Sequence, residues 1–247
     1  MYTNRLHGVV IPTITPMHED GSIDIQSLKK YTDFLVASGV NCLYPNGTNG
    51  ESLMLTKEER ETVAQTMSSV NAKRLPIFIQ CGSMTTAETA SHAQHAVTIG
   101  ADGIGVMSPA FFGMDEEALF QYYTAVIEKL PENFPVYVYN IPGCTTNDVT
   151  PALLRRLMAA YDNVVGIKYS SPDLMRVEDY LNTDGRVPQL LIGCDSLFLQ
   201  CLITGGVGTV TGPGSIFYER FNRLYRQFHE GDIKGAMETQ KQIVKTD

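Results

Sequence analysis

The chain has 247 residues, 43% of them hydrophobic, and a net charge of −8 with no run of like charge. That length accommodates one large domain or two small ones around a sizeable core, and the acidic balance makes a poor partner for nucleic acid. No apolar stretch reaches the roughly 20 residues that cross a membrane, and Met1 to Gly8 lacks the basic-then-apolar pattern of a secretory signal.

Along the chain, short β-rich runs alternate with helical stretches. Residues 8–14 form the first apolar run. Leu28, Tyr31 and Leu35 follow at helical spacing, and Gly39 suits the end of that helix. After a second run at 41–44, Thr56 with Glu59 reads as a capping box. A third run at 76–80 precedes a second such box, Thr85 with Glu88, and a helix closing at Gly100. The fourth run is 103–107, then Leu119, Tyr123, Val126 and Leu130 mark a helical face. Runs five to eight are 135–139, 164–168, 189–192 and 208–210. Thr150 before Pro151, and Ser171 before Pro172, place a capping hydroxyl ahead of a proline at the first helical position. Phe217, Phe221, Leu224 and Phe228 outline the last helix.

Nearly continuous apolar runs suit strands covered on both faces. Eight of them, each followed by a helix, predict a parallel sheet closed into a (β/α)8 TIM barrel rather than an open doubly wound sheet, since no GxGxxG opens the first helix. The barrel is expected over residues 1–230, with 231–247 as the start of a helical extension that stops short. Cys42, Cys81, Cys144, Cys194 and Cys201 make an odd set without CxxC spacing, which suits reduced thiols of a cytoplasmic protein. His92 and His95 stand three residues apart on an ordinary helical stretch with no convincing third ligand, so no metal site is expected.

In such a barrel the active site lies at the C-terminal ends of the strands. Lys168 closes the sixth. There desolvation disfavours the ammonium and frees the amine as a nucleophile towards a carbonyl; a rim lysine paired with a carboxylate is the equal alternative. Tyr139 closes the fifth strand, as a proton relay or as a packed aromatic. Gly47-Thr48-Asn49-Gly50 follows the second strand. Its two glycines allow backbone amides to turn inward as a nest for a carboxylate, or simply to make a turn; Glu51 buttresses the loop. Lysine, tyrosine and loop together compose a site for a 2-oxo acid.

These residues resemble the dihydrodipicolinate synthase / N-acetylneuraminate lyase family. Its G-[ST]-x-G-E loop is matched by Gly47-Thr48-Asn49-Gly50-Glu51, its Y-N-[VI]-P segment by Tyr139-Asn140-Ile141-Pro142, and its G-[IVL]-K segment by Gly166-Ile167-Lys168. The resemblance covers nearly all of the chain and implies a class I, pyruvate-dependent carbon–carbon lyase. Lys168 forms the imine, Tyr139 relays protons, and Thr48 with backbone amides holds the carboxylate. It implies no metal or organic cofactor, and a homotetramer built as a dimer of dimers.

Other positions depart from the family's pattern. Cys144 stands where the synthases carry an arginine for the carboxylate of aspartate semialdehyde, and loss of that charge-assisted contact removes much of the recognition. Phe111 replaces a tyrosine that the synthases lend to a neighbouring subunit, and Asn49 replaces a threonine. Asp195 supplies one of two acids that sialic-acid lyases use for the polyol tail, but Ser196 replaces the other. Gly47, Asn49, Phe111, Cys144, Asp195 and Val210 are therefore expected around the substrate, with Phe111, Phe112 and Cys144 making the pocket apolar. The first reading is an aldolase that cleaves a 4-hydroxy-2-oxo acid, such as a keto-deoxy sugar acid or sialic acid, to pyruvate and an aldehyde. The second is 4-hydroxy-tetrahydrodipicolinate (dihydrodipicolinate) synthase, condensing pyruvate with aspartate semialdehyde. The third is a non-catalytic 2-oxo-acid sensor.

Overall fold

The apolar runs become the eight parallel strands of a nearly closed barrel in a computed structural model, which describes residues 6–245. Residues 1–5 of the stretch read for a secretory signal, and 246–247 of the expected extension, lie outside the described residues. The strands are β1 Gly8–Pro12, β2 Cys42–Tyr44, β3 Phe78–Gln80, β4 Gly103–Met107, β5 Val136–Asn140, β6 Val164–Tyr169, β7 Gln189–Ile192 and β8 Gly208–Val210. They pair in the order β2-β1-β8-β7-β6-β5-β4-β3, and one parallel bridge, Leu43 to Ile77, joins the two end strands.

Alternation along each strand sorts the side chains into two cores. Val10, Cys42, Tyr44, Phe78, Tyr137, Val165, Leu191 and Val210 fill the barrel interior. Val9, Ile11, Leu43, Ile104, Val138, Ile167 and Ile192 face outward onto helices. Each buried Val, Leu or Ile contributes about 1.5–3 kcal/mol. Three interior rings need room, and glycines on other strands supply it. A Cβ on Gly105 would overlap the Tyr44 hydroxyl, and one on Gly103 would overlap the Phe78 ring.

Ten helices cover the strands among the described residues: α1 Ile25–Ala37, α2 Lys57–Asn71, α3 Thr86–Thr98, α4 Glu116–Ile127, α5 Pro142–Thr145, α6 Pro151–Ala160, α7 Leu174–Leu181, α8 Phe198–Thr204, α9 Gly214–His229 and α10 Ile233–Val244. None is long and apolar enough to cross a membrane. Thr56 and Glu59 form the full capping box of α2. At α3 only half forms: Thr85 accepts from the Glu88 N–H, while the Glu88 carboxylate turns to the Ser83 hydroxyl. Thr150 caps α6 ahead of Pro151. The Ser171 cap does not form; Asp173 caps α7 instead, its carboxylate accepting from Arg176 N. Phe217 leaves the apolar face of α9, because the helix kinks there and exposes the ring. Leu130 falls beyond the end of α4 but still packs on the core. α10, within the expected extension, buries Ala236 and Ile243 in the outer core, and its Gln240 binds Asp195 O and Leu199 N.

His92 and His95 both lie on α3, and among the described residues no three of His, Cys, Asp and Glu converge as a cation site. His92 is buried beside α2, with Nε2 3.8 Å from Glu88 Oε1. Burial, then the Arg60 cation, bring its pKa down to about 4. An unfolded histidine takes its proton near pH 6.5. Between the two values the unfolded chain binds more protons, so stability is lost as pH falls through this window. Relative to His92→Gln, the wild type should lose about 2 kcal/mol between pH 7 and pH 4.5 in urea titrations; parallel pH profiles would refute the assignment. Gly105→Ala should destabilise by about 1–3 kcal/mol through overpacking against Tyr44, and Tyr44→Phe in that background should recover part of it. An unchanged urea midpoint in Gly105→Ala would remove the proposed steric role.

Candidate active site

Tyr139 and Lys168 are direct partners across the parallel ladder of β5 and β6. A one-residue shift in that ladder puts them there. Val136 pairs with Val164, but Tyr137 pairs with Gly166, leaving Val165 as the extra residue. Beyond such a bulge the inward and outward faces exchange. Lys168 therefore turns inward with Tyr139, and Ile167 turns out to the helices. Gly166 is required by the same geometry, since a Cβ would overlap Gln189 O and press on the Tyr137 ring.

Lys168 is only 5% exposed, and among the described residues no carboxylate lies within 4.0 Å of its amine. The alternative reading, a rim ion pair, has no counterpart among these residues. Instead Nζ lies 3.8 Å from the centroid of the Tyr139 ring and 5.2 Å from that of Tyr44. Ring faces attract an ammonium without neutralising it. The Tyr139 hydroxyl, itself buried, is 3.1 Å from Thr48 Oγ1. Amine, phenol and threonine thus form a continuous line from β6 through β5 to the loop after β2.

That loop departs from the expected nest. Gly47 is extended, at φ −76°, and the left-handed residues are Asn46 (φ 62°) and Glu51 (φ 56°). Thr48–Gly50 is a single 3₁₀ turn, closed by Gly50 N to Gly47 O and Glu51 N to Thr48 O. Its first N–H groups, those of Thr48 and Asn49, stand at the open end. Gly50 serves by closeness, because a Cβ would meet Thr13 O at 2.9 Å. Glu51 buttresses the loop through its backbone N–H. Asn49 lies over Gly212, just past β8.

Beside Thr48 opens a cavity of about 200 Å³, lined by Thr48, Glu51, Ser52, Leu53, Met54, Met107 and Cys144. Cys144, on the short α5, is an exposed free thiol there. Phe111 and Phe112 are absent from that lining. Phe111 adopts φ 75° on the loop after β4, 77% exposed, with its ring edge-on to Phe112. Val210 ends β8 inside the barrel, and Gly47 is buried against the Tyr44 ring. Asp195 is buried at the end of β7, where a 3₁₀ turn begins. Met107 and Tyr44 were not among the expected residues. Tyr44 and Met107 are the last residues of β2 and β4, so the strand-end position that singled out Tyr139 and Lys168 marks both.

The dihydrodipicolinate synthetase family model matches residues 5–246. A 4-hydroxy-tetrahydrodipicolinate synthase of Acidiphilium cryptum is 33% identical over 96% of this chain and 80% of that protein. A probable 2-dehydro-3-deoxy-D-pentonate aldolase of Escherichia coli, YjhH, is 30% identical over 98% of this chain and 80% of its own length. Among solved structures, the Escherichia coli prophage protein YagE in complex with pyruvate superposes with a TM-score of 0.92 at 28% identity, covering 96% of this chain and 80% of that one. The chain belongs to the dihydrodipicolinate synthetase family, and it is an enzyme of the pyruvate-dependent lyase and synthase type that this family comprises.

Proposed function

We propose that the protein is a Schiff-base aldolase that cleaves a 4-hydroxy-2-oxo acid to pyruvate and an aldehyde. The carrying observation is the buried Lys168 amine, unpaired with any described carboxylate and stacked on the Tyr139 ring, whose hydroxyl meets Thr48. The neutral amine attacks the ketone carbon, and loss of water leaves an iminium. The bond between C3 and C4 then breaks as its electron pair flows into that iminium. The proton of the 4-hydroxyl leaves as the aldehyde forms, and the resulting enamine takes a proton at C3. Hydrolysis of the imine frees pyruvate and restores the amine. Tyr139, with Thr48 as its next oxygen, is the group within reach to carry those protons. The open N–H groups of Thr48 and Asn49 and the Thr48 hydroxyl suit the substrate carboxylate. The covalent imine supplies the electron sink, so the reading assigns no metal or organic cofactor.

Cys144 supports an aldolase over the synthase, because a thiol cannot provide the charge-assisted contact that a second carboxylate wants. The sulfur and hydrocarbon groups of Met107, Met54, Leu53 and Cys144 line the adjacent cavity and suit an aldehyde portion with little charge. Ser196 in place of a second acid argues against sialic acid. The second reading, condensation of pyruvate with aspartate semialdehyde, draws on the likeness to the Acidiphilium cryptum enzyme. A sensor has no use for an unpaired buried amine. Assembly as a homotetramer, a dimer of dimers, belongs to the same proposal and rests on the family resemblance.

Borohydride added with pyruvate should leave a reduced adduct on Lys168, visible by peptide mass spectrometry and absent in Lys168→Ala. A folded wild type with unmodified Lys168 would rule the mechanism out. Pyruvate release from a panel of 4-hydroxy-2-oxo acids, set against consumption of aspartate semialdehyde, separates the two readings.

A further inference from the structure

The barrel's weakest seam lies beside the site. β2 and β3 share one bridge, Leu43 with Ile77, where the other neighbours form ladders. Towards the site the seam is held by Gln80 N to Pro45 O at 3.1 Å, and then by side chains. Gln80 ends β3 and is 1% exposed. Its Nε2 donates to Asn46 O at 3.1 Å and to Gly82 O at 3.3 Å. Its Oε1 accepts from Gly82 N and, at 3.4 Å, from Met107 N. One buried amide therefore touches the ends of β2, β3 and β4.

The two ends of that amide reach the two sides of the relay. Asn46 lies two residues before Thr48, in a left-handed conformation that is uncommon for non-glycine residues and that asparagine tolerates better than most. Met107 is the ladder partner of Tyr139. A second clamp backs the first: Asn46 Nδ2 donates to Arg60 O at 2.9 Å, and the buried Arg60 guanidinium donates to Gln80 O at 3.1 Å and Gly82 O at 3.2 Å. Buried amides are directional and strongly held when satisfied at both ends. Thr48 itself is exposed; beyond it the turn is held at Gly50, whose O accepts from Thr15 Oγ1 at 2.8 Å, while before it the hold on the chain, and so the distance from Tyr139, depends on what anchors Asn46.

We infer that Gln80 is a positioning residue, which fixes the separation of Thr48 and Tyr139 by tying the loop after β2 to the end of β4. The inference rests on the proton-relay reading of Tyr139 above. Its consequence falls on proton transfer rather than on the amine: without the amide the Thr48 loop loses its tie to the end of β4 on the Asn46 side, and a displacement near 1 Å at a relay costs on the order of 10²-fold in rate.

Gln80→Met keeps the volume and removes both ends of the clamp. In that variant, at saturating pyruvate, the yield of borohydride-trapped pyruvate on Lys168 should stay at the wild-type level, because saturation offsets any weaker hold of the displaced loop on the carboxylate. Exchange of the pyruvate methyl protons with deuterium, followed by NMR, should slow by roughly 10- to 100-fold. In a Thr48→Val background the same substitution should slow exchange no further, because the contact it positions is already gone. Exchange within about two-fold of wild type in a folded Gln80→Met would overturn the inference, as would an undiminished effect in the Thr48→Val background. Should Gln80→Met fail to fold, Gln80→Glu takes the same two tests, since it keeps the acceptor for Gly82 and Met107 and loses the donor to Asn46. Failure of wild-type Lys168 to trap pyruvate would overturn the Schiff-base reading itself, a result distinct from unaltered exchange.

Discussion

Everything the site can do depends on one extra residue in β6. Strand side chains alternate with period two, so the parity of a strand decides which residues see the barrel mouth. With Val136 paired to Val164 and no shift, Tyr139 would stand beside Ile167, and Lys168 would point out among the helices. An ammonium there would be buried in hydrocarbon, which costs several kcal/mol without a partner. Val165 absorbs the shift inside the barrel, where its side chain joins the interior cluster. Gly166 then passes close to Gln189 and Tyr137, and Lys168 comes out next to Tyr139. The bulge turns a charged residue that the outer core would reject towards the mouth, beside Tyr139.

The interior below that amine is built from rings. Tyr44, Phe78 and Tyr137 occupy the middle of the barrel, each accommodated by a glycine, on the next strand for Phe78 and Tyr137 and two strands away for Tyr44. This packing gives the site a dry, stiff floor, and Tyr44 supplies a second aromatic face near the amine. Burial also raises the pKa of Tyr44 well above that of an ordinary phenol, so the ring stays neutral. The site thus combines two kinds of support. Lys168 and Tyr139 are held by a continuous backbone ladder. Thr48 is held across the thin seam by buried side-chain amides.

That difference explains how much could be read from the sequence. Eight strands were legible because β/α barrels cover both faces of the sheet, which leaves nearly unbroken apolar runs. Their ends were less so: residues 13 and 14 leave β1 although Ile14 is apolar, and Asn140 and Tyr169 extend β5 and β6 past the expected limits. Thr56 and Thr150 could be recognised as caps because their partners are local. Ser171 misled, because the helix starts two residues later on the carboxylate of Asp173. Lys168 and Tyr139 could be found as strand-end residues, but the bulge that points Lys168 inward has no sequence signature. The glycines of the loop suggested left-handed turns; the chain instead places Asn46 and Glu51 there, and uses Gly50 for close approach. Gln80 stayed hidden for another reason. A glutamine at a strand end is ordinary, and its partners Asn46 and Met107 lie 34 and 27 residues away.

In the reaction proposed above, the two supports also divide the chemistry. Imine formation is the same for any 2-oxo acid, and it uses the residues that the ladder fixes most tightly. Recognition of the second reactant falls to groups on loops and short turns after the strands: Cys144 on α5, Asp195 and Ser196 on the turn after β7, and Leu53 and Met54 beyond the Thr48 loop. Loop residues can be exchanged without disturbing either core, because few of their backbone groups belong to the barrel ladder. A barrel of this kind can keep its nucleophile while the partner aldehyde changes from charged to neutral. A Cys144 thiol, where the resemblance to the synthases implies a guanidinium, is a change of that sort. It withdraws the strongest contact available to a carboxylate and leaves sulfur and hydrocarbon in its place, which selects against a charged partner more sharply than it selects for any particular neutral one.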